Sequence, residues 1–282
     1  MRSHRLISST ACLGLLTGIL CFGGAVFAQS MDRPAIQAEI PEGSGPSAEE
    51  WAALADLPDF SGIWIADRID QIRLERANDV TWNEEAGAEI DHQIEMEQQG
   101  FPRGTHNSCL PWGMPGFMMH THNAVEFLFT PGRVTILGEG DGNNLRRIYT
   151  DGRPHPGPLE TDPTFHGHSI GRWEGDTLVV DTIYIKPQTE IAVTEGVGLP
   201  NGGDMHIVER IHLLSPNILA FDMDIDAPHV LRETYHTRRM YFRRGWGPDW
   251  DIIESVCLEG NFIDQVDENG HSVFVPIHPD DQ

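Results

Sequence analysis

From Ala124 onward the chain alternates apolar and polar residues at every second position, in short runs broken by turn signals. Val125, Phe127 and Phe129 interleave with Glu126, Leu128 and Thr130; Pro131-Gly132 turns, and residues 133–139 return. A period of two sends successive side chains to opposite faces of a strand. Asp141-Gly-Asn-Asn144 leads into a strand over 145–150, which Asp151-Gly152 ends. Glu174-Gly175-Asp176 joins 168–173 to 177–184 as a tight hairpin. Four more strands are predicted over 205–213, 218–226, 233–243 and 250–257. With one near Trp64 the count is ten. Many strands, short turns and few helices predict an all-β, antiparallel meander, either closed as a barrel or split as a sandwich.

The clearest strand is 218–226. Leu219, Phe221, Met223 and Ile225 share one face; Asp222, Asp224 and Asp226 share the other. On the next strand Arg239 and Arg243 share the face of Tyr235 and Tyr241, and Asp–Arg pairs across the two strands make a charged outer wall.

Ahead of the β region, residues 1–28 have a basic start (Arg2, Arg5), an apolar middle and the small-residue ending Val26-Phe27-Ala28. This is the pattern of a secretory signal peptide cleaved after Ala28, so the protein is expected in the periplasm or outside the cell. Residues 29–58 read as a flexible arm ending in a short helix, opened by the capping box Ser47-Ala-Glu-Glu50. Residues 59–282 form the β domain, with a helical and loop insertion at 67–123. Within the insertion Thr81-x-x-Glu84 predicts a helix running to about Gln99.

Acids outnumber bases 43 to 19, for a net charge of -24. Cleavage removes Arg2 and Arg5 and no acid, giving -26. Such a surface argues against nucleic acid, which requires Lys and Arg at phosphates, and against anionic membranes. No membrane insertion is expected after signal removal. Cys12 and Cys21 leave with the signal, so Cys109 and Cys257 are expected to pair as a disulfide in an oxidising compartment.

Two resemblances sharpen the fold. Asp59-Phe60-Ser61-Gly62-Ile63-Trp64 resembles the Gly-x-Trp that opens the first strand of lipocalin-like (calycin) barrels. The resemblance implies that Trp64 plugs one end and that a small ligand enters the other. Gly167-His-Ser-Ile-Gly-Arg-Trp-Glu-Gly-Asp-Thr-Leu-Val-Val-Asp-Thr182 is similar to the signature of a large family of exported bacterial β-proteins of unassigned function. Arg146–Arg153, His206–Arg210, Cys109-Leu-Pro111 and Glu254–Cys257 with Asn261 fit the same family. It implies a shared β fold and brings no reaction with it.

Several groups could carry chemistry. His166 and His168 flank Gly167 just before a strand, at an expected barrel rim, and imidazoles exchange protons near neutral pH. Glu209 shares a face with Met205, Ile207 and Ile211, opposite His206. A carboxyl buried there suits general acid–base work or an ion pair with an arginine such as Arg172. Phe117, Met118 and His122 lie in a soft loop that could line a pocket mouth with Arg172. His120, His122 and Glu126 follow the spacing of the first cupin metal motif, although its second half is missing. Gly167-His-Ser-Ile-Gly171 resembles a hydrolase elbow but precedes a strand rather than a helix. No dinucleotide fingerprint, phosphate loop or Cys-x-x-Cys is present, and no organic cofactor is expected. The leading expectation is an exported enzyme using His166, His168 and Glu209 for acid–base chemistry on a small hydrophobic molecule, as a lyase, isomerase or hydrolase. The alternatives are a non-catalytic periplasmic binding protein for such a ligand and a cupin-like metal enzyme; the oligomeric state is left open.

Overall fold

The computed structural model describes residues 45–67, 79–101, 110–119, 124–158, 160–194, 196–245, 251–256, 263–266 and 272–274. In chain order these form α1 (Ala48–Ala53), a 3-10 turn (Leu54–Asp56), β1 (Ile63–Ala66), α2 (Glu84–Gln98), α3 (Gly116–Met119), β2 (Ala124–Thr130), β3 (Arg133–Gly138), α4 (Gly140–Asn143) and β4 (Leu145–Tyr149). Then follow β5 (His168–Glu174), β6 (Thr177–Ile183), β7 (Glu190–Ala192), β8 (Gly198–Pro200), β9 (His206–Ser215), β10 (Ile218–Asp226), β11 (Tyr235–Gly245), β12 (Ile263–Val266) and β13 (Ser272–Phe274). The signal peptide, the Cys109–Cys257 pairing, His120 and His122 lie outside the described residues.

Nine strands close a barrel in the order β1-β11-β10-β9-β6-β5-β4-β3-β2. The all-β barrel is as expected from the alternation. One seam is not: β4 and β5 run parallel, with Ile148 opposite Ser169 and Tyr149 opposite Ile170. A ring of nine cannot alternate direction all the way round, so one parallel neighbour is unavoidable. An up-and-down lipocalin barrel has eight strands and avoids this. A parallel pair needs a crossover rather than a tight turn. Residues 150–167 supply it.

The strand expected over 250–257 does not form among residues 251–256. β1 already sits between β11 and β2, so the barrel has no free edge to extend. Ser255 instead donates its backbone N–H to Asn143 Oδ1 at 2.8 Å. The hairpin of β7 with β8 and that of β12 with β13 were not foreseen; each strand is only three or four residues long, too short to show a period.

The core follows the period-two faces. Trp64, Ile136, Leu178, Ile207 and Phe221 have no solvent exposure. Each such side chain contributes roughly 1.5–3 kcal/mol of transfer free energy. The Trp64 indole N–H donates to Phe60 O at 2.9 Å, and the Arg243 guanidinium lies 4.5 Å from its ring centre. The charged outer wall exists with different partners. Arg238 pairs with Asp222 and His236 with Asp224, whereas Arg239 points inward and is fully buried. The alternation that puts Tyr235 and Tyr241 inside carries Arg239 with them.

Ser47 forms the expected capping box with Glu50. Helix α2 is capped by Asn83 rather than by Thr81, whose hydroxyl donates to Glu233 O at 2.7 Å. Its Ala86 and Ile90 are buried, and Gln93 accepts from Gly198 N–H, tying the helix to β8.

Candidate active site

The crossover 150–167 carries His155 back along the outside of the barrel to the start of β5. Ser169 is buried in the interior, so its neighbour His168 faces outward. Hairpin register sets Ile170 opposite Asp181, and Asp181 opposite Val208. Asp181 and His206 therefore share that outer face. The four polar groups join in one chain. His155 Nδ1 lies 2.8 Å from His168 Nδ1, and His155 Nε2 lies 3.0 Å from Asp181 Oδ1. His206 Nε2 lies 3.1 Å from the other oxygen of Asp181. The Tyr149 ring stacks on His168 with centres 5.3 Å apart, and Tyr184 pins the crossover by donating to Pro156 O at 2.8 Å.

With His155 neutral, the network sets the order of the protons. An ionised carboxylate only accepts, so His155 Nε2 and His206 Nε2 both carry hydrogen. A neutral His155 then has a lone pair on Nδ1. His168 Nδ1 must donate to it, which leaves His168 Nε2 as a lone pair. Burial first, then electrostatic repulsion with His155 and with Arg153 against a second proton, hold the His168 imidazole below its ordinary value. It is therefore in its basic form at neutral pH.

His168 borders a cavity of about 330 Å³ with Arg147, Tyr149, Asp162, His166 and Tyr184. Pairing of β4 with β5 starts only at Ile148 and Ser169, so the first residues of both strands diverge and leave this space. Its volume is at the lower limit for small-molecule sites. A wider, open depression of about 630 Å³ lies at the opposite barrel end beside Asp59, Asn217 and Arg243. No histidine borders it, and Arg243 is occupied by the carbonyls of Asp59, Ser61 and Pro216.

His166 differs from His168. Its ring packs edge-on against Phe117 at 4.9 Å, and neither ring nitrogen has solvent contact or a hydrogen-bond partner among the described residues. The residue as a whole remains partly exposed. Burial first, and the Arg146 charge second, push it down to about 4. It is neutral at pH 7 and cannot serve as an imidazolium acid. A depressed histidine binds its proton more weakly in the folded state, so its contribution to stability is full above about 6.5 and falls as pH drops towards 4. Urea unfolding should show roughly 3 kcal/mol lost over that window beyond the loss in His166→Phe. Equal pH dependence in the two proteins would show that His166 is not held neutral by the fold.

The other expected site residues lie elsewhere. Glu209 is fully buried inside the barrel, opposite Val180 and Met223. Both its oxygens accept from Arg146, one of them at 2.9 Å. Arg146 also donates to Ser169 Oγ and, at 3.0 Å, to Thr182 Oγ1. The partner of Glu209 is thus Arg146 and not Arg172, and saturation by that guanidinium removes Glu209 from the acid–base role expected of it. Arg172 is exposed four residues along β5 from His168, bonded to Glu174 at 2.7 Å. Phe117 and Met118 are buried packing over the barrel end, where Tyr241 donates to Met118 O at 3.0 Å. Of this pair only Phe117 approaches the cavity, through His166. Glu126 faces outward, raised by burial and by Asp251. Among the described residues no cluster of three or more His, Cys, Asp or Glu is placed to hold a metal ion. The closed barrel is also not the two-sheet jelly roll that the cupin resemblance implies. Ser169, inward on a strand and bonded to Thr182 at 2.8 Å, is no hydrolase nucleophile.

His155, Asp181 and His206 were missed as members of the site. The hairpin register through Glu174 and Thr177 was a usable signal, since it puts His168 and Asp181 on one face. Nothing comparable places His155, which arrives by the crossover. The chain matches no protein-family model, and no curated protein matches it.

Proposed function

We propose that this chain is an exported enzyme that acts on a small molecule by acid–base chemistry without an organic cofactor, as a lyase, isomerase or hydrolase. His168 is its general base. The observation that carries this reading is the His168–His155–Asp181 chain beside a cavity of about 330 Å³; with His155 neutral, that chain leaves the His168 Nε2 lone pair free. In the reaction Nε2 takes a proton from substrate carbon, oxygen or bound water. The imidazolium so formed is stabilised through His155 by the Asp181 carboxylate and returns the proton to the product. His206 holds the second oxygen of Asp181 and is a positioning residue. His166, neutral and with its ring nitrogens buried, shapes the cavity wall against Phe117. Arg147, Asp162 and His168 place polar groups in the lining, which suits a small molecule with a polar group beside the apolar part expected from the sequence. The basic and apolar leader at 1–28 supports export.

The test is a panel of small carbonyl compounds and esters incubated with the protein in D2O and followed by proton NMR. Both exchange of acidic C–H and hydrolysis are then visible. At least one compound should react with the wild-type protein and not with His168→Ala. Equal, background-level behaviour of the two proteins across the panel would contradict catalysis, and binding without reaction would favour a binding protein.

A further inference from the structure

We infer that the cavity recognises a small monocarboxylate, whose anionic group is held by Arg147. The inference rests on the His168 site but concerns what that site binds. Leu145, Arg147 and Tyr149 alternate outward on β4, around the inward Arg146 and Ile148. One residue back from the Ile148–Ser169 pair stand Arg147 and His168, neighbours across the parallel seam, and both border the cavity. The Arg147 guanidinium makes no ion pair or hydrogen bond among the described residues. Other outward arginines on nearby strands are not left so: Arg172 and Arg210 share Glu174, and Arg238 sits on Asp222. In a chain with 43 acids and 19 bases, a cavity arginine without a carboxylate is an open anion site.

A guanidinium presents a planar fork of donors that matches a carboxylate in two parallel hydrogen bonds. A carboxylate seated there leaves the rest of the molecule in the same small space as His168 Nε2, so the carbon or hydroxyl next to it meets the base. Asp162 lines the same cavity and is also unpaired among the described residues. Its negative charge opposes a second anionic group, which selects a monocarboxylate over a phosphate or dicarboxylate. The fixed positive charge also lowers the energy of negative charge developing next to the carboxylate when His168 removes a proton.

Isothermal titration and saturation-transfer NMR with lactate, pyruvate, benzoate and phenylacetate, each beside its neutral amide, test this. At least one acid should bind the wild-type protein ten-fold or more tighter than its amide. Arg147→Gln should abolish that preference, Arg147→Lys should keep part of it, and inorganic phosphate should not compete. His168→Ala should keep the preference for acid over amide, because the base does not hold the anion. Equal binding of acids and amides, unchanged binding in Arg147→Gln, competition by phosphate, or no binding by any acid would each overturn the inference. Carboxylate binding that depends on Arg147 without turnover of any compound would instead retain it and remove the enzymatic reading. Turnover through His168 of neutral compounds alone would do the reverse.

Discussion

Arg146→Met should lower folding stability by about 3–5 kcal/mol, the cost of leaving a buried carboxylate unpaired. Arg146 and Glu209 have essentially no solvent exposure, and Ser169 and Thr182 lose a donor at the same time. A domain holds only about 5–15 kcal/mol in total, so urea unfolding should begin at much lower denaturant. Arg146→Met with Glu209→Leu should be more stable than Arg146→Met alone, because removing both charges ends the desolvation penalty. A single variant as stable as the wild-type protein would mean that the pair is not buried as described. If Glu209 were instead an essential acid–base group, the double variant would be folded but inert even with His168 intact. It is expected to keep turnover, since Glu209 does not border the cavity.

Replacing His168 with Ala should reduce turnover by about 10²–10⁴-fold with the fold preserved, as removal of a general base does. The side chain is only partly buried and packs on Tyr149, so little core is lost. Asp181→Asn should also reduce turnover, because an amide can donate to His155 and reverse the order of the hydrogens. With the wild-type protein, kcat/KM should rise with pH and level off. The midpoint should lie below the ordinary imidazole value, since burial and repulsion with His155 and Arg153 disfavour protonated His168. A midpoint above that value, or a His168→Ala protein with full turnover, would remove His168 from catalysis.

Much of the barrel was legible because alternation encodes which face is buried. Leu219, Phe221, Met223 and Ile225 turn inward just as the pattern of 218–226 requires, and Glu209 goes inside with Ile207 and Ile211. Trp64 of the Gly-x-Trp is fully buried on β1. The parallel seam was not legible, because the run at 145–149 reads the same whichever neighbour it takes. That seam sets the site: it creates the crossover that delivers His155 and the gap that Arg147 and His168 border. The sequence singled out His166 and His168 as one pair by their spacing around Gly167. Residues two apart there end in different surroundings. Gly167, at φ +68, lies in the left-handed region and carries the chain from His166, packed on Phe117, to the outward His168. The Arg146–Glu209 partnership reaches from β4 to β9 across β5 and β6, and its geometry comes only from the order of strands in the barrel.

Long-range ¹H–¹⁵N NMR of the histidine side chains at neutral pH, with His168→Ala and His155→Ala used for assignment, tests directly whether His168 is the base. His168 should appear as the neutral tautomer with hydrogen on Nδ1 and an unprotonated Nε2, and His155 as the tautomer with hydrogen on Nε2. His168 protonated on Nε2, whether neutral or as imidazolium, would contradict its role as the base.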